Sequence, residues 1–353
     1  MPYRVERSDS ATAEHTLVRL WTDNLNMRAD PRYKFEWFYR DTPLGAATAF
    51  LLHHAPDDQP ASEVVGTCGV GTRHVSVDGE ILRSALFADF AVDKAHRTLM
   101  PALMLQRALC EYATSSFDMA YAFPNSAAVG IFNRIGLKTL GRTRRYVRIL
   151  RSAPHLERLL KVRPLARIAG AFVDTALVAS DRVRSAGLTY RFEWLPDADE
   201  RFDRLWNAVR SNWKIIGERN SQFLRWRFTH RPGVPARLAA LVHRRSGEIA
   251  AYAAVVDKDP GEALVADFLA ASDAELTLLL RMLGPQLAGL RYTRALTYFL
   301  GPRRIDSALQ KAGFQFRNDA KFVIVGAREG APASGGRLAR VDDWYVTEAD
   351  RDN

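Results

Sequence analysis

Asp89 is a single carboxylate inside the apolar run Ser84-Ala85-Leu86-Phe87-Ala88-Asp89-Phe90-Ala91-Val92. Read as a strand, the run places Asp89 and Ala91 on one face and Phe90 and Val92 on the other. Burial in such a strand raises the pKa of a carboxylate and turns it toward general-base chemistry. An Asp that only ties down a neighbouring backbone has the same sequence pattern. The run continues into Asp93-Lys94-Ala95-His96-Arg97-Thr98-Leu99-Met100-Pro101-Ala102 and then a helical segment. Backbone N–H groups and the dipole at a helix start favour an anion such as pyrophosphate, and Lys94 and Arg97 add charge there. Pro101 removes one donor but is comfortable in a first turn. A solvated Lys–His–Arg loop reads the same way. The third element is Tyr121 to Leu137, YAFPNSAAVGIFNRIGL. It reads as a strand over Tyr121–Phe123, a Pro-Asn stop, and a helix ending at Gly136. Asn125, Ala128, Phe132 and Gly136 lie at offsets of 3, 7 and 11, on one stripe, with Asn as N-cap and Gly as the residue after the helix.

The block from Asn125 to Leu137 resembles the second block of the GNAT acetyltransferase superfamily, N-x-x-A-x-x-x-(aromatic)-x-x-x-G-(F/L). The resemblance implies that Asn125, Ala128 and Phe132 line the pantetheine arm of acyl-CoA. The family's first block is a strand followed by (Q/R)-x-x-G-x-(G/A). With Arg97 on the leading position, Ala102 falls on the final small residue, whereas Met100 falls where the first Gly belongs. The implied cofactor-binding set is Val92, Arg97, Thr98, Leu99, Met100, Ala102, Asn125, Ala128 and Phe132. Many members use a carboxylate on the fourth strand as base, a role that would fall to Asp89. The general acid is usually a Tyr at the place held by Phe132, which cannot donate a proton. Tyr121 and His96 are the alternatives, or the thiolate departs unaided. The implied donor is acetyl-CoA or another acyl-CoA, with an amine-bearing acceptor and no metal.

The chain also repeats itself. Ala85–Phe90 matches Ala263–Phe268, with Asp267 178 residues after Asp89. The run Phe132–Arg142 parallels Leu309–Arg317, and Glu36–Gly45 parallels Arg225–Gly233, with Trp37 on Trp226 and Pro43 on Pro232. Three pieces in one order indicate two copies of one unit. Each copy reads as a Trp-bearing helix (Glu14–Leu25, Asp199–Ser211), β-rich segments, a helix (Met100–Thr114, Ala274–Ala288), a strand and a short helix. That order predicts α+β: two tandem GNAT-like domains, each with a mixed, mostly antiparallel sheet flanked by helices. The expected domains are 1–150, cofactor-binding, and 186–327, degenerate. In the second copy Ser272 or Asp273 caps a helix with Glu275 in its first turn, and Pro302 replaces Asn125. An acidic first turn repels pyrophosphate. Residues 151–185 read as a helical linker with a Leu156, Leu159, Leu160, Val162 stripe. Residues 328–353 read as a Gly/Ala/Ser-rich hinge and a docking tail with Trp344, Tyr345 and Val346.

In 353 residues the hydrophobic fraction is 47% and the formal net charge +10, which favours polyanionic partners without choosing among them. Arg142, Arg144, Arg145, Arg148 and Arg151 read as a solvated strand edge and linker rather than a dedicated binding patch. Cys68 and Cys110 show no metal or disulfide spacing and read as buried hydrophobes. The first residues lack the apolar core of a secretory signal, and Ile168–Ala179 is too short for a membrane span, so a cytoplasmic protein is expected. The leading expectation is a bacterial acyl-CoA-dependent N-acyltransferase whose acceptor lies between the domains. Two other readings stay open: an aminoacyl-tRNA-dependent transferase like the Fem-type ligases, with tRNA as partner, and a non-catalytic binding module. Similar tandem layouts occur in mycothiol synthase-like enzymes.

Overall fold

The computed structural model describes residues 2–27, 29–55, 62–151, 189–234 and 236–352. The linker stripe expected over 152–185 lies outside the described residues. Strand β1 (Tyr3–Asp9) leads into helix α1 (Ser10–Asn24), which buries Ala13, Leu17, Leu20 and Trp21 along one stripe at helical spacing. Helix α2 (Pro31–Lys34) starts on the Asp30 cap and runs into a π-helical turn over Phe35–Arg40. Strands β2 (Thr48–His54), β3 (Glu63–Val77) and β4 (Glu80–Val92) form an antiparallel meander. Helix α3 (Leu99–Ser116), strand β5 (Met119–Ala122), helix α4 (Ser126–Arg134) and strand β6 (Lys138–Ile149) follow.

The same order recurs. Strand β7 (Tyr190–Leu195) precedes helix α5 (Glu200–Val209), which buries Phe202, Leu205, Trp206 and Val209. Strand β8 (Ile215–Gly217), helix α6 (Ser221–Leu224) and a π-helical turn (Arg225–Thr229) come next. Strands β9 (Ala236–His243), β10 (Ile249–Asp259) and β11 (Glu262–Ala270), helix α7 (Asp273–Gly289), strand β12 (Arg294–Phe299), helix α8 (Arg303–Lys311) and strand β13 (Gln315–Ala327) complete it. A last short strand, β14 (Trp344–Tyr345), lies in the tail.

All the strands join one mostly antiparallel sheet in an α+β fold. Its main path runs β1-β2-β3-β4-β5-β13-β6-β12-β11-β10-β9-β7. The final strand of each half lies across the seam: β13 pairs with β5, and β6 pairs with β12. Among the described residues each half has a single strand after its short helix. The exchange supplies ladder partners to β5 and β12, whose backbone groups would otherwise be left unpaired in the interior. The seam therefore lies within a sheet rather than at a gap between two bodies.

This placement corrects the expectation for the arginine run. Strand β6 is interior, flanked by β12 and β13, and not a solvated edge. Arg144 is buried and reaches Asp306 at 2.9 Å and the Gly301 carbonyl at 2.8 Å, while Arg148 donates to the Leu280 carbonyl. The matched tryptophans meet at the seam. Their rings stack with centroids 4.9 Å apart, and each Nε1 donates to the other's carbonyl at 2.8 Å. No helix among the described residues is long and apolar enough to cross a membrane.

Candidate functional site

Strands β4 and β5 run parallel for only three pairs, Ser84 with Met119, Ala85 with Ala120, and Leu86 with Tyr121. Beyond Leu86, β4 continues to Val92 while β5 ends at Ala122, so the two strands part company. The parting leaves main-chain groups of β4 without a ladder partner on that side, a place where an extended ligand can bind. Helices α3 and α4 begin at its mouth.

Asp89 sits where β4 bulges. Gly69 pairs with Ala88 and Thr67 with Ala91, so Asp89 and Phe90 together face one residue of β3, Cys68. Asp89 carries a φ of 51°, in the left-handed region that Asp tolerates better than most residues. The strict alternation expected for a regular strand is therefore broken, and Ala88 and Asp89 turn to the same face. That face is the one covered by α1 and the second half. The carboxylate is buried, with Lys34 Nζ at 3.3 Å and the Tyr39 hydroxyl donating to it at 3.1 Å. Asp352 of the tail lies 3.9 Å from the same Lys34 Nζ. Gly69 makes room for Tyr39: a Cβ there would come within 2.0 Å of its hydroxyl. Burial pushes the Asp89 carboxyl up to about 6 against the opposing pull of Lys34. A buried carboxylate near that value is suited to accept a proton near neutrality. Sequence reasoning missed Lys34 and Tyr39, because only the fold brings α2 and the π-helical turn under β4.

Tyr121 is buried on the same face, and its hydroxyl has no hydrogen-bond partner among the described residues. Burial pushes its pKa up to about 12, so it stays a neutral donor. His96 is held elsewhere, 2.9 Å from the Tyr3 hydroxyl and against the His54 ring.

The residues expected to hold a cofactor collect on the opposite side of the parting. Helix α3 starts from Thr98 without a side-chain cap, and no acidic residue stands in its first turn. Its first N–H groups, apart from the one Pro101 lacks, are left for an anion or water. Pro101 stands third in the helix, among the positions whose N–H has no intrahelical partner anyway. Leu99 and Met100 are 55% and 51% exposed there, beside Ala102. Arg97 is turned back: its Nε donates to the Val92 carbonyl at 2.8 Å and its Nη2 to Asn24 at 2.9 Å. It braces the loop. Asn125 caps α4 by accepting from the Ala128 N–H at 3.0 Å. Phe132 is buried and stacks on Phe87 of β4, with ring centroids 5.9 Å apart. Gly136 ends the helix at a φ of 98°, and Gly313 ends α8 at 89°.

The second half has the same parting and fills it. Strands β11 and β12 pair for three residues, ending at Leu264 with Leu296. The tail occupies the space beyond. Val346 bridges to Leu300, the Tyr345 hydroxyl donates to the Phe268 carbonyl at 2.6 Å, and Thr347 donates to Asp267 at 2.7 Å. Arg219 is fully buried, paired with Asp350 at 2.6 Å and with Asp267 at 3.5 Å. Helix α7 is capped by Ser272, with Asp273 and Glu275 in its first turn. Helix α8 starts on Pro302, which offers no side-chain cap. About 30 Å³ of space remains, lined by Ser272, Asp273, Arg304 and Tyr345.

Among the described residues there is no group of three or more His, Cys, Asp or Glu suited to a metal. Cys68 and Cys110 are both buried free thiols.

No family model and no curated protein matches the chain. Solved structures do match its fold. A protein of Enterococcus faecalis described as a probable N-acyltransferase is similar with a TM-score of 0.64 at 11% identity, over 93% of this chain and 73% of that one. A GCN5-related N-acetyltransferase of Anabaena variabilis gives 0.61 at 9% identity, over 91% and 72%. Another from Kribbella flavida gives 0.57 at 12%, over 92% and 71%. The fold of this chain is that of the GCN5-related N-acetyltransferases.

Proposed function

We propose that the protein is an N-acyltransferase that takes an acyl group, acetyl in the simplest case, from acyl-CoA bound in the parting of β4 and β5. The observation that carries this reading is the contrast at the two partings: the first has an uncapped, non-acidic helix start beside a buried Asp at a bulge, and the second is filled by the chain's own tail. The first half, 1–150, is the donor-binding unit. The second half, 186–327, braces it, and 328–353 is the segment that closes the second parting.

The first N–H groups of α3, together with Thr98, Leu99, Met100 and Ala102, would hold the pyrophosphate and its flanks. Val92, Asn125, Ala128 and Phe132 would line the pantetheine arm. Arg97 fits as the brace of that loop rather than as a free phosphate ligand, because its guanidinium is already engaged. When bound, the thioester supplies an acyl carbon open to attack by an amine. Asp89 takes the proton from the attacking amine, and Tyr39 and Lys34 hold its carboxylate in place. Phe132 offers no proton to the leaving thiolate. Tyr121 is the neutral hydroxyl available on the Asp89 face, and the low basicity of a thiolate keeps the demand on it small.

Isothermal calorimetry with acetyl-CoA tests the donor assignment. Binding by the intact protein that weakens in Asn125→Ala and in Met100→Glu is expected. No binding, or binding indifferent to both changes, removes the assignment.

A further inference from the structure

We infer that the acceptor is recognised through an oxyanion, a carboxylate or a phosphate, placed against Arg73 at the seam between the two halves; the acceptor's identity as an amine rests on the acyl-transfer reading above. Arg73 lies on β3, facing the second half. It is 2% exposed, its guanidinium stands 4.0 Å over the Phe223 ring, and both terminal nitrogens are buried without a hydrogen-bond partner among the described residues. The Tyr121 hydroxyl, equally buried and unpartnered, feels the Arg73 charge. An unpaired buried guanidinium costs several kcal/mol, so a partner is called for.

The carboxylates whose charge reaches Arg73, Asp350 and Glu218, have closer partners of their own. Asp350 holds Arg219 at 2.6 Å, Glu218 holds His74 at 3.2 Å, and Asp89 holds Lys34. Other cations gather around the same aromatic pair. Lys34, Arg227 and Arg231 stand 5.6, 5.1 and 4.0 Å from the Trp37 ring, which stacks on Trp226, and Arg73 stands 5.4 Å from the Trp226 ring. Arg227 donates to the main-chain carbonyls of Glu348 and Ala349. Burial lowers the pKa of Arg73 and of Arg231, the latter to about 10. A water would satisfy the N–H groups of Arg73 but not its charge, whereas an oxyanion does both.

Two adjoining cavities share Pro43, Gln222 and Trp226. The narrow one touches Arg73 and offers about 10 Å³, room for one water or one oxyanion oxygen. The wide one, about 460 Å³, is lined by the Trp37–Trp226 pair, Asp41, Arg225 and His230. The body of the acceptor fits the wide cavity, with its anionic tip toward Arg73. Helix α3 and its donor-binding start lie across the sheet, against Phe87, Ala120 and Ala122, so the donor's own phosphates belong to the other face.

Thermal unfolding of the full chain tests this with inorganic phosphate and with acetate, each against chloride at matched ionic strength. Saturable stabilisation by phosphate or acetate is expected, weakened at least tenfold in Arg73→Met and in the less buried Arg231→Gln, with acetyl-CoA affinity retained in both. Arg73→Met is also expected to unfold at a higher temperature than the parent without ligand, because it removes a buried guanidinium whose terminal N–H groups have no partner among the described residues; a purely structural arginine predicts a lower one. Equal stabilisation of parent and variants, or none beyond chloride, overturns the inference and leaves a water as the partner of Arg73. Displacement of phosphate by acetyl-CoA, lost in Arg73→Met, assigns the oxyanion to the donor and also overturns it. If acetyl-CoA fails to bind while phosphate binds through Arg73, the acyl-transfer reading falls and the oxyanion site stands.

Discussion

Between β4 and β5 the ladder stops after Leu86 and Tyr121, and between β11 and β12 it stops after Leu264 and Leu296. Each parting has an Asp on the longer strand, Asp89 or Asp267, and helix starts at its mouth. Asp89 faces a lysine from the end of α2 and a tyrosine from the π-helical turn, at a bulge with a left-handed φ. Asp267 is locked by the Tyr252 hydroxyl at 2.6 Å, by Thr347 and by Arg219. Helix α3 is uncapped, whereas α7 is capped and acidic. The lesson is that one backbone geometry serves as a receptor or as a brace, depending on whether its polar groups are already satisfied from within the chain.

The largest test of that contrast is at the two aspartates. Asp89→Asn is expected to lower acyl transfer by about 10² to 10⁴ in kcat with acetyl-CoA affinity kept. Asp267→Asn, by breaking a buried ion pair, is expected to cost on the order of 3–5 kcal/mol in urea unfolding while the folded fraction keeps its turnover. The reverse pattern would exchange the roles of the two partings.

Filling can be tested by emptying. Tyr345→Ala leaves a cavity in the second parting and is expected to destabilise by about 3–5 kcal/mol. Met100→Ala, at the exposed mouth of the first, is expected to stay within about 0.5 kcal/mol of the parent while weakening acetyl-CoA. Thermal melts with and without acetyl-CoA separate the two.

The Asp89 carboxyl, raised from its ordinary 3.8 to about 6 by burial, gives a pH signature. The folded state holds its proton more tightly than the unfolded chain, so its contribution to stability is largest below pH 4. That contribution is lost as pH rises through about 6, a fall of roughly 3 kcal/mol by linkage. The transfer rate should rise over the same limb. In Asp89→Asn both limbs should vanish; persistence of the stability limb would assign it to another group.

The smallest expected effect is at the short helices. Asn125→Ala removes the cap of α4 and should cost about 1 kcal/mol. Pro302→Ala, at a start without a side-chain cap, should change stability by less. Chemical denaturation resolves the difference.

Much of this was legible from residues in series. The Asn125–Gly136 spacing, the Pro302 substitution, the acidic start of α7 and the three-part repeat all concern positions close in sequence or matched between copies, and local backbone chemistry governs them. The arginine run on β6 misled because charge density along a strand does not reveal what pairs beside it. The bulge at Asp89 was hidden because a strand's alternation is set by its partner's register.

The sequence by itself determined an α+β repeat, the side-chain caps of α4 and α7, and the placement of a carboxylate in an apolar strand. Only the tertiary structure decided that β6 and β13 cross the seam, that Lys34 and Tyr39 meet Asp89, that the tail closes the second parting, and that the Arg73 terminal nitrogens lie buried without a hydrogen-bond partner among the described residues. The reason is physical: caps and turns are short-range hydrogen bonds written in neighbouring residues, whereas pairing across a sheet and the balance of buried charge depend on residues separated by most of the chain.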